Sequence, residues 1–324
     1  MKMLDRLQAT LAEYGVRKTF FKIVLYSLNS LYIIRHIEYL VRRNNPDHAI
    51  RRINNSKMYL DLKNDRGISW ELFIFGKHEA ISTEYLSSSG ILRRADTVLD
   101  IGANIGYYAL MESRIVGERG LVYALEPVEQ NVRMLKESIE LNNIRNIEVC
   151  RLAVGDNCRL STISVGEKGN WSSIDRISGI VYKSQEEVQM VTVDDFVKDR
   201  KTPNLVRMDV EGYEYFVFKG MSNTLRCKPR LMVEIHSSVM NDLQMCEMLD
   251  ILKENDYKNV HVIFDPQLIR LAPKSILRPL FESCARKTGD YIECSSPAQL
   301  MSLDSLLDLI TRKRTNVGVV FEAI

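Results

Sequence analysis

Apolar positions along this chain change period several times, and the changes divide it into elements. From Met1 to about Arg52 the spacing is helical, with Leu4, Leu7 and Leu11 on one face, followed by a denser run at Phe20, Phe21, Val24, Leu25, Leu28, Leu31 and Tyr32. Asn44-Asn45-Pro46-Asp47 interrupts it as a turn. Met58 to Leu62 and Leu72 to Phe75 alternate around Asn64-Asp65-Arg66-Gly67, which predicts a hairpin, and a helix is expected from about Ile81 to Leu92. Short apolar runs then recur at Val98–Ile101, Leu121–Leu125, Ile147–Leu152, Leu205–Val210, Leu231–Ile235, Val260–Phe264 and Val317–Phe321. Helical stripes fall between several of them: Val128, Val132, Leu135 and Ile139 in one, Met245, Met248, Leu249 and Leu252 in another. Alternating strands and helices predict a parallel sheet covered by helices on both faces. Leu160–Val165 and Val188–Val193 read as an inserted hairpin.

The segment Asp265 to Thr315 breaks the alternation, with prolines at 266, 273, 279 and 297 before a helix from about Leu303 to Thr311. The expected organisation is therefore a basic helical extension over 1–66, leading into the hairpin, and a main α/β body over 67–324 with an insertion at 265–315. A chain of 324 residues with 45% hydrophobic content can bury one large α/β core with additions.

Charge changes this picture only at the N-terminus. Residues 1–66 hold thirteen Lys/Arg against six Asp/Glu, which leaves 31 against 36 for the remainder. No basic groove with interleaved aromatics marks the body, so no nucleic-acid partner is expected. The basic, aromatic-bearing N-terminal helix suits either a membrane interface or packing on the body or a second subunit, so peripheral membrane contact and a homo-oligomer are both open. Its longest uncharged run, Ile23 to Ile34, falls short of the ~20 residues that a spanning helix needs. Six cysteines without metal-ligand spacing, and no signal-peptide pattern, predict a cytoplasmic chain.

Candidate chemistry gathers at strand ends. Val98-Leu99-Asp100-Ile101-Gly102-Ala103-Asn104-Ile105-Gly106 is a strand, a tight turn and the start of a helix. It carries an acid where a dinucleotide fingerprint has none, and it lacks the third glycine that would cradle a pyrophosphate. This argues against a nucleotide-binding reductase and for a cationic ligand. Glu126, 20 residues past Gly106 and followed by Pro127, stands where an acid can accept both hydroxyls of a ribose. A second group, Asp209, Glu211, Glu214, Glu234 and His236, falls at the ends of two later strands, where acids and an imidazole can act as general base or bind a divalent cation. His78 and Glu79 lie just upstream of the glycine turn as loop polar groups or ligand neighbours.

The ordered set Asp100-Ile101-Gly102-Ala103-Asn104-Ile105-Gly106-Tyr107-Tyr108, Glu126-Pro127, Ala153-Val154-Gly155-Asp156, Val193-Asp194-Asp195-Phe196, Met208-Asp209-Val210-Glu211-Gly212-Tyr213-Glu214 and Pro229 to His236 resembles the FkbM family of S-adenosylmethionine-dependent methyltransferases. The resemblance implies a Rossmann-like class I methyltransferase fold: a seven-stranded, mostly parallel sheet with helices on both faces, here with a helical N-terminal extension. It implies S-adenosylmethionine as cofactor and O-methylation of a small-molecule, glycan or glycolipid acceptor. The turn Asp100, Gly102, Ala103, Asn104 and Gly106 would take the methionine end, Glu126 with Pro127 the ribose, and Ala153, Val154 and Asp156 the adenine side. Asp209, His236 and Glu211 are the expected catalytic residues, with a divalent cation at Asp209, Glu211 and Glu234 left open. Arg207 stands where family members commonly carry lysine. A protein or RNA acceptor, and a non-catalytic membrane-associated scaffold that keeps the fold, are the alternatives.

Overall fold

A computed structural model describes residues 47–65, 67–166, 172–174, 182–263, 298–313 and 316–321. The helical expectation for 1–46 and most of the segment 265–315 lie outside the described residues. From His48 onward the described residues belong to one compact unit.

That unit opens with an antiparallel hairpin of β1 (His48–Ile53) and β2 (Ser56–Asp61). Over residues 48–52 the expected helix is corrected to a strand, because His48–Ile53 pairs residue by residue with β2. The partner predicted for Met58–Leu62 is also corrected: Ile68–Phe75 is a helix, α1, not a strand. Its start is organised by Asp65, whose carboxylate accepts the Gly67 and Ser69 amides, both at 2.8 Å, while Trp70 Nε1 donates to the Leu62 carbonyl at 2.8 Å. At its other end Arg51 Nη1 donates to the Leu72 and Phe73 carbonyls, in the last helical turn where carbonyls run short of intrahelical donors. A short helix α2 (Ala80–Ser88) follows.

Among the described residues the central sheet has eight strands. In chain order they are β3 (Thr97–Ile101), β4 (Leu121–Leu125), β5 (Ile147–Cys150), β9 (Leu205–Met208), β10 (Arg230–Ile235), β11 (Asn259–Ile263), β12 (Ala298–Ser302) and β13 (Val317–Phe321). Their spatial order is β12-β11-β13-β10-β9-β3-β4-β5. All seven predicted strands are in it, and β12, from inside the segment read as an interruption, adds an eighth at the edge. β5, β4, β3, β9 and β10 pair in parallel, whereas β13 runs antiparallel to both β10 and β11. Every residue of β3 and β9 is buried, as parallel strands covered on both faces require.

Helices α3 (Tyr107–Val116) and α4 (Glu129–Leu141) follow β3 and β4. The N-terminal hairpin is fastened to α4: Tyr59 N donates to Ser138 Oγ at 3.0 Å and Lys57 N to Asn142 Oδ1 at 2.8 Å. The two-residue β6 (Ala153–Val154), β7 (Arg159–Gly166) and β8 (Tyr182–Val191) make a separate three-stranded sheet, with β7 and β8 as the predicted inserted hairpin. Val193, read as part of that strand, instead begins the short helix α5 (Val193–Val197), capped by Thr192.

After β9 come α6 (Glu214–Lys219) and α7 (Ser222–Arg226), then β10, α8 (Asp242–Glu254) and, between β12 and β13, α9 (Leu303–Lys313). The capping box of Asn241 and Gln244 starts α8, whose Met245, Met248, Leu249 and Leu252 are fully buried, so that stripe is core packing. No described helix is long and apolar enough to cross a membrane.

Candidate active site

The C-terminal ends of β3, β4, β9 and β10 deliver the predicted residues to one edge of the sheet, where α/β folds bind ligands. At β3 the turn is pinned to the neighbouring strand, because the amides of Gly102 and Ala103 both donate to the Leu125 carbonyl, at 2.9 and 3.0 Å. Asn104 has φ +52° and uses its side-chain oxygen to accept the Ile105 amide at 2.8 Å. Its own amide donates to Glu126 Oε2 at 2.8 Å, so the glycine turn and the acid after β4 are in direct contact. Glu126 Oε1 accepts the Val128 amide at 2.9 Å and Asn131 Nδ2 at 3.1 Å. Burial pushes the Glu126 carboxyl up to about 7, against the pull of those three donors.

The two glycines owe their identity to the chain's own packing. Gly102 has φ +82°, and a β-carbon there would lie 1.9 Å from the Asp209 carbonyl oxygen; at Gly106, φ +90°, it would meet Leu135 Cδ1 at 2.3 Å. The turn is therefore glycine-dependent before any ligand is considered.

Arg207 joins the two groups of acids. Its Nη1 donates to Asp100 Oδ1 at 3.0 Å and its Nη2 to Asp209 Oδ2 at 3.3 Å, with the guanidinium 3.9 Å above the Tyr108 ring. Asp100 is wholly buried, and its Oδ2 has no hydrogen-bond partner. Burial raises the Asp100 carboxyl despite Arg207. Glu112, on α3, is also fully buried with neither oxygen bonded, and burial with the nearby Asp100 charge pushes it well above the usual range.

Beyond Arg207 the acids crowd around an imidazole. His236 Nδ1 lies 2.8 Å from Glu214 Oε1, while its Nε2 is 3.3 Å from Glu211 Oε2 and 3.9 Å from both Asp209 Oδ1 and Glu234 Oε1. Burial opposes its protonation, but Glu214, Glu211 and Glu234 hold it well above an ordinary histidine. Burial and the neighbouring negative charges raise Asp209 and Glu234, and push Glu211 up to about 8. Glu211 is held at φ +53° in the tight turn ahead of α6.

The fourth wall comes from upstream. Glu79, at φ +39° before α2, accepts from Tyr108 Oη at 2.8 Å and faces His78 Nε2 at 3.0 Å; His78 Nδ1 in turn lies 2.9 Å from Glu71 Oε2. Oxygens of Glu79, Asp209 and Glu234 lie within 4.8 Å of one another, as do ligand atoms of Asp209, Glu211 and His236. Either trio has the donors to hold a cation.

Asp100, Gly102, Asn104, Gly106 and Glu126 thus form one contiguous half of the site, and Asp209, Glu211 and His236 the other. Ala153 and Val154 bury their side chains in apolar clusters, and Pro127 is half-buried beside Glu126. Asp156 lies 3.5 Å from Arg159, which donates to Tyr213 Oη at 3.0 Å. By sequence alone Glu214 is one acid of the second group, Arg207 a departure from a family pattern and Tyr108 part of the family motif, and Glu112 carries no signal. The signal for Glu214 is its spacing of three from Glu211, which returns its carboxylate to the same end of the sheet.

This edge of the sheet falls largely within a single known domain: residues 100–258 match the methyltransferase FkbM domain. Among individual proteins, the chain is 27% identical to the hexuronic acid methyltransferase AglP of Haloferax volcanii over 146 residues, 44% of this chain and 57% of that one. It is 31% identical to a protein-L-isoaspartate O-methyltransferase of Ignicoccus hospitalis over 75 residues, 23% and 34% of the two. The chain spans from about a third to just over half of the length of these relatives. The crystal structure of a methyltransferase FkbM from Methylobacillus flagellatus aligns with a TM-score of 0.43 and 16% identity, covering 74% of this chain and 47% of that one. The likeness that points to a family is the stretch over residues 100–258, where the chain matches the methyltransferase FkbM domain.

Proposed function

We propose that the protein is an S-adenosylmethionine-dependent O-methyltransferase acting on a hydroxyl of a carbohydrate, glycolipid or secondary metabolite. The observation that carries this reading is the continuity of the site. The turn after β3, the acid after β4 and the acid and histidine cluster after β9 and β10 share one edge, linked by the Asn104–Glu126 bond and the Arg207 bridge.

The residues present suit the cofactor. Asp100 Oδ2, buried and unbonded, offers a carboxylate oxygen for the cationic methionine end, and Glu126 Oε2, with one donor, retains a lone pair for a ribose hydroxyl. Asp156 and the backbone of Ala153 and Val154 would border the base. When bound, the cofactor supplies an electrophilic methyl group for in-line displacement.

What the protein must add is alignment of the acceptor oxygen behind that methyl and a destination for its proton. Asp209, Glu211 and His236 would do this; the contact of Glu214 with the imidazole Nδ1 supports that reading. A sugar hydroxyl is a weak nucleophile at neutral pH, so a cluster of proton-accepting groups at this point suits it. The match to a relative named as a hexuronic acid methyltransferase favours a carbohydrate acceptor.

The test has two arms. Isothermal titration with S-adenosylhomocysteine is expected to give saturable binding that Glu126→Ala weakens; no binding to the wild-type protein overturns the reading. Incubation with methyl-labelled cofactor and cell glycan or lipid extracts, with Asp209→Ala as control, is expected to label a glycan or lipid fraction. Label appearing only in protein or RNA would move the acceptor class.

A further inference from the structure

The acid cluster holds more carboxyl groups than its basic neighbours can pair. Seven carboxyl groups, from Glu71, Glu79, Asp100, Asp209, Glu211, Glu214 and Glu234, are set against three basic side chains, Arg207, His78 and His236. Arg207 is committed to Asp100 and to one oxygen of Asp209, and His78 is shared between Glu71 and Glu79. Glu211 and Glu234 both fall to His236, which Glu214 already engages.

Two oxygens show where the balance is missing. Asp209 Oδ1 is inaccessible to solvent and has no hydrogen bond, although it lies 3.9 Å from His236 Nε2. Glu214 is 0% exposed, and its Oε2 is likewise unbonded while Oε1 engages His236. A buried carboxylate oxygen without a donor is costly. Like carboxylates within 4.8 Å of one another repel strongly in a site of reduced dielectric. A cation beside Asp209 Oδ1 would give that oxygen a partner and offset the repulsion together.

The imidazole is also mounted as metal-binding histidines are. Its Nδ1 is fixed by the fully buried Glu214, which leaves Nε2 directed at Asp209 and Glu211. We propose that Asp209, Glu211 and His236 hold a divalent cation, with Glu79 and Glu234 beside it as further oxygen donors. A donor set rich in carboxylate with one imidazole suits Mn²⁺ or Mg²⁺. In the methyltransferase reading, on which its role depends, the cation would anchor the acceptor oxygen and make the hydroxyl more acidic.

Mn²⁺ is the probe. Titrated into the full chain after chelator treatment, it is expected to lose its free-ion electron paramagnetic resonance signal with saturation near one ion per chain. Pulsed spectra of the bound ion should show nitrogen modulation from the His236 ring. Asp209→Asn and Glu211→Gln should each weaken binding by about tenfold or more, while Glu148→Gln on exposed surface leaves it unchanged. No uptake by the wild-type protein, uptake without nitrogen modulation, or uptake indifferent to both substitutions each overturns the proposal. The wild-type measurements decide it even if a variant fails to fold. S-adenosylhomocysteine binding on the same samples separates the two ideas: cofactor binding without Mn²⁺ uptake removes the cation alone, and Mn²⁺ uptake without cofactor binding removes the methyltransferase reading alone.

Discussion

The Asp209 carbonyl oxygen occupies the space that a β-carbon on Gly102 would need, at 1.9 Å. The glycine turn and the acid cluster are thereby packed backbone against backbone, and one cannot shift without the other. Gly102→Ala should cost more than about 3 kcal/mol, from strain at φ +82° together with this collision. Gly90, at φ +78° with nothing within 4 Å of an added β-carbon, supplies the comparison: Gly90→Ala should cost only the backbone strain, about 1–2 kcal/mol. Urea unfolding of the two variants checks this, and equal losses would show that the contact is not rigid.

Arg207 compensates two acids on adjacent strands from a position that is 6% exposed. Arg207→Met leaves Asp100 and Asp209 facing each other without a cation and should destabilise the fold by about 3–5 kcal/mol. Arg207→Lys keeps the charge but cannot reach both carboxylates as a fork or stack on Tyr108 in the same way, so it should fall between the two. Thermal unfolding of the three proteins gives the order directly.

Glu126 makes stability depend on pH in a definite direction. Its carboxyl titrates near 7 in the folded chain and near 4.5 when unfolded, so the folded state holds the proton more tightly. The stabilisation is complete below about pH 4.5 and is lost as pH rises toward 7, by about 3 kcal/mol in all. Measured against Glu126→Gln at each pH, the wild-type advantage should shrink across that window. A constant difference would mean that this carboxyl is not displaced.

Asp65 explains why a segment that alternates like a strand is a helix. Its two oxygens satisfy the amides of Gly67 and Ser69 at the start of α1, which local alternation cannot reveal. Asp65→Ala should cost about 1–2 kcal/mol, read by chemical denaturation.

The parts of the fold that are legible in the sequence share a cause. Buried parallel strands such as Val98–Ile101 and Leu205–Met208 are largely apolar, and the acids at their ends stand out against that background. Ile68–Phe75 and His48–Ile53 depart from their local patterns because their conformations are fixed by partners elsewhere, Asp65 and Arg51 in one case and the pairing with β2 in the other. β12 is hard to see because an edge strand with half-exposed residues carries little pattern of its own. In the site, the acids are visible singly, but not that Arg207 bridges Asp100 to Asp209 or that Glu79 closes on Glu234. Those relations join residues more than a hundred positions apart, and no local spacing encodes them.

The placement of β13 between β10 and β11 sets an order on folding. β10 and β11 follow one another along the chain, yet neither pairs with the other, since the strand that bridges them is made only from residues 317–321. During synthesis the half of the sheet bearing His236 therefore waits with unpaired edges until that last strand emerges, a delay in which the exposed edges invite pairing with other chains. Folding of this protein should accordingly be sensitive to changes at Val317, Val319 and Phe321, far along the chain from the residues they hold in place.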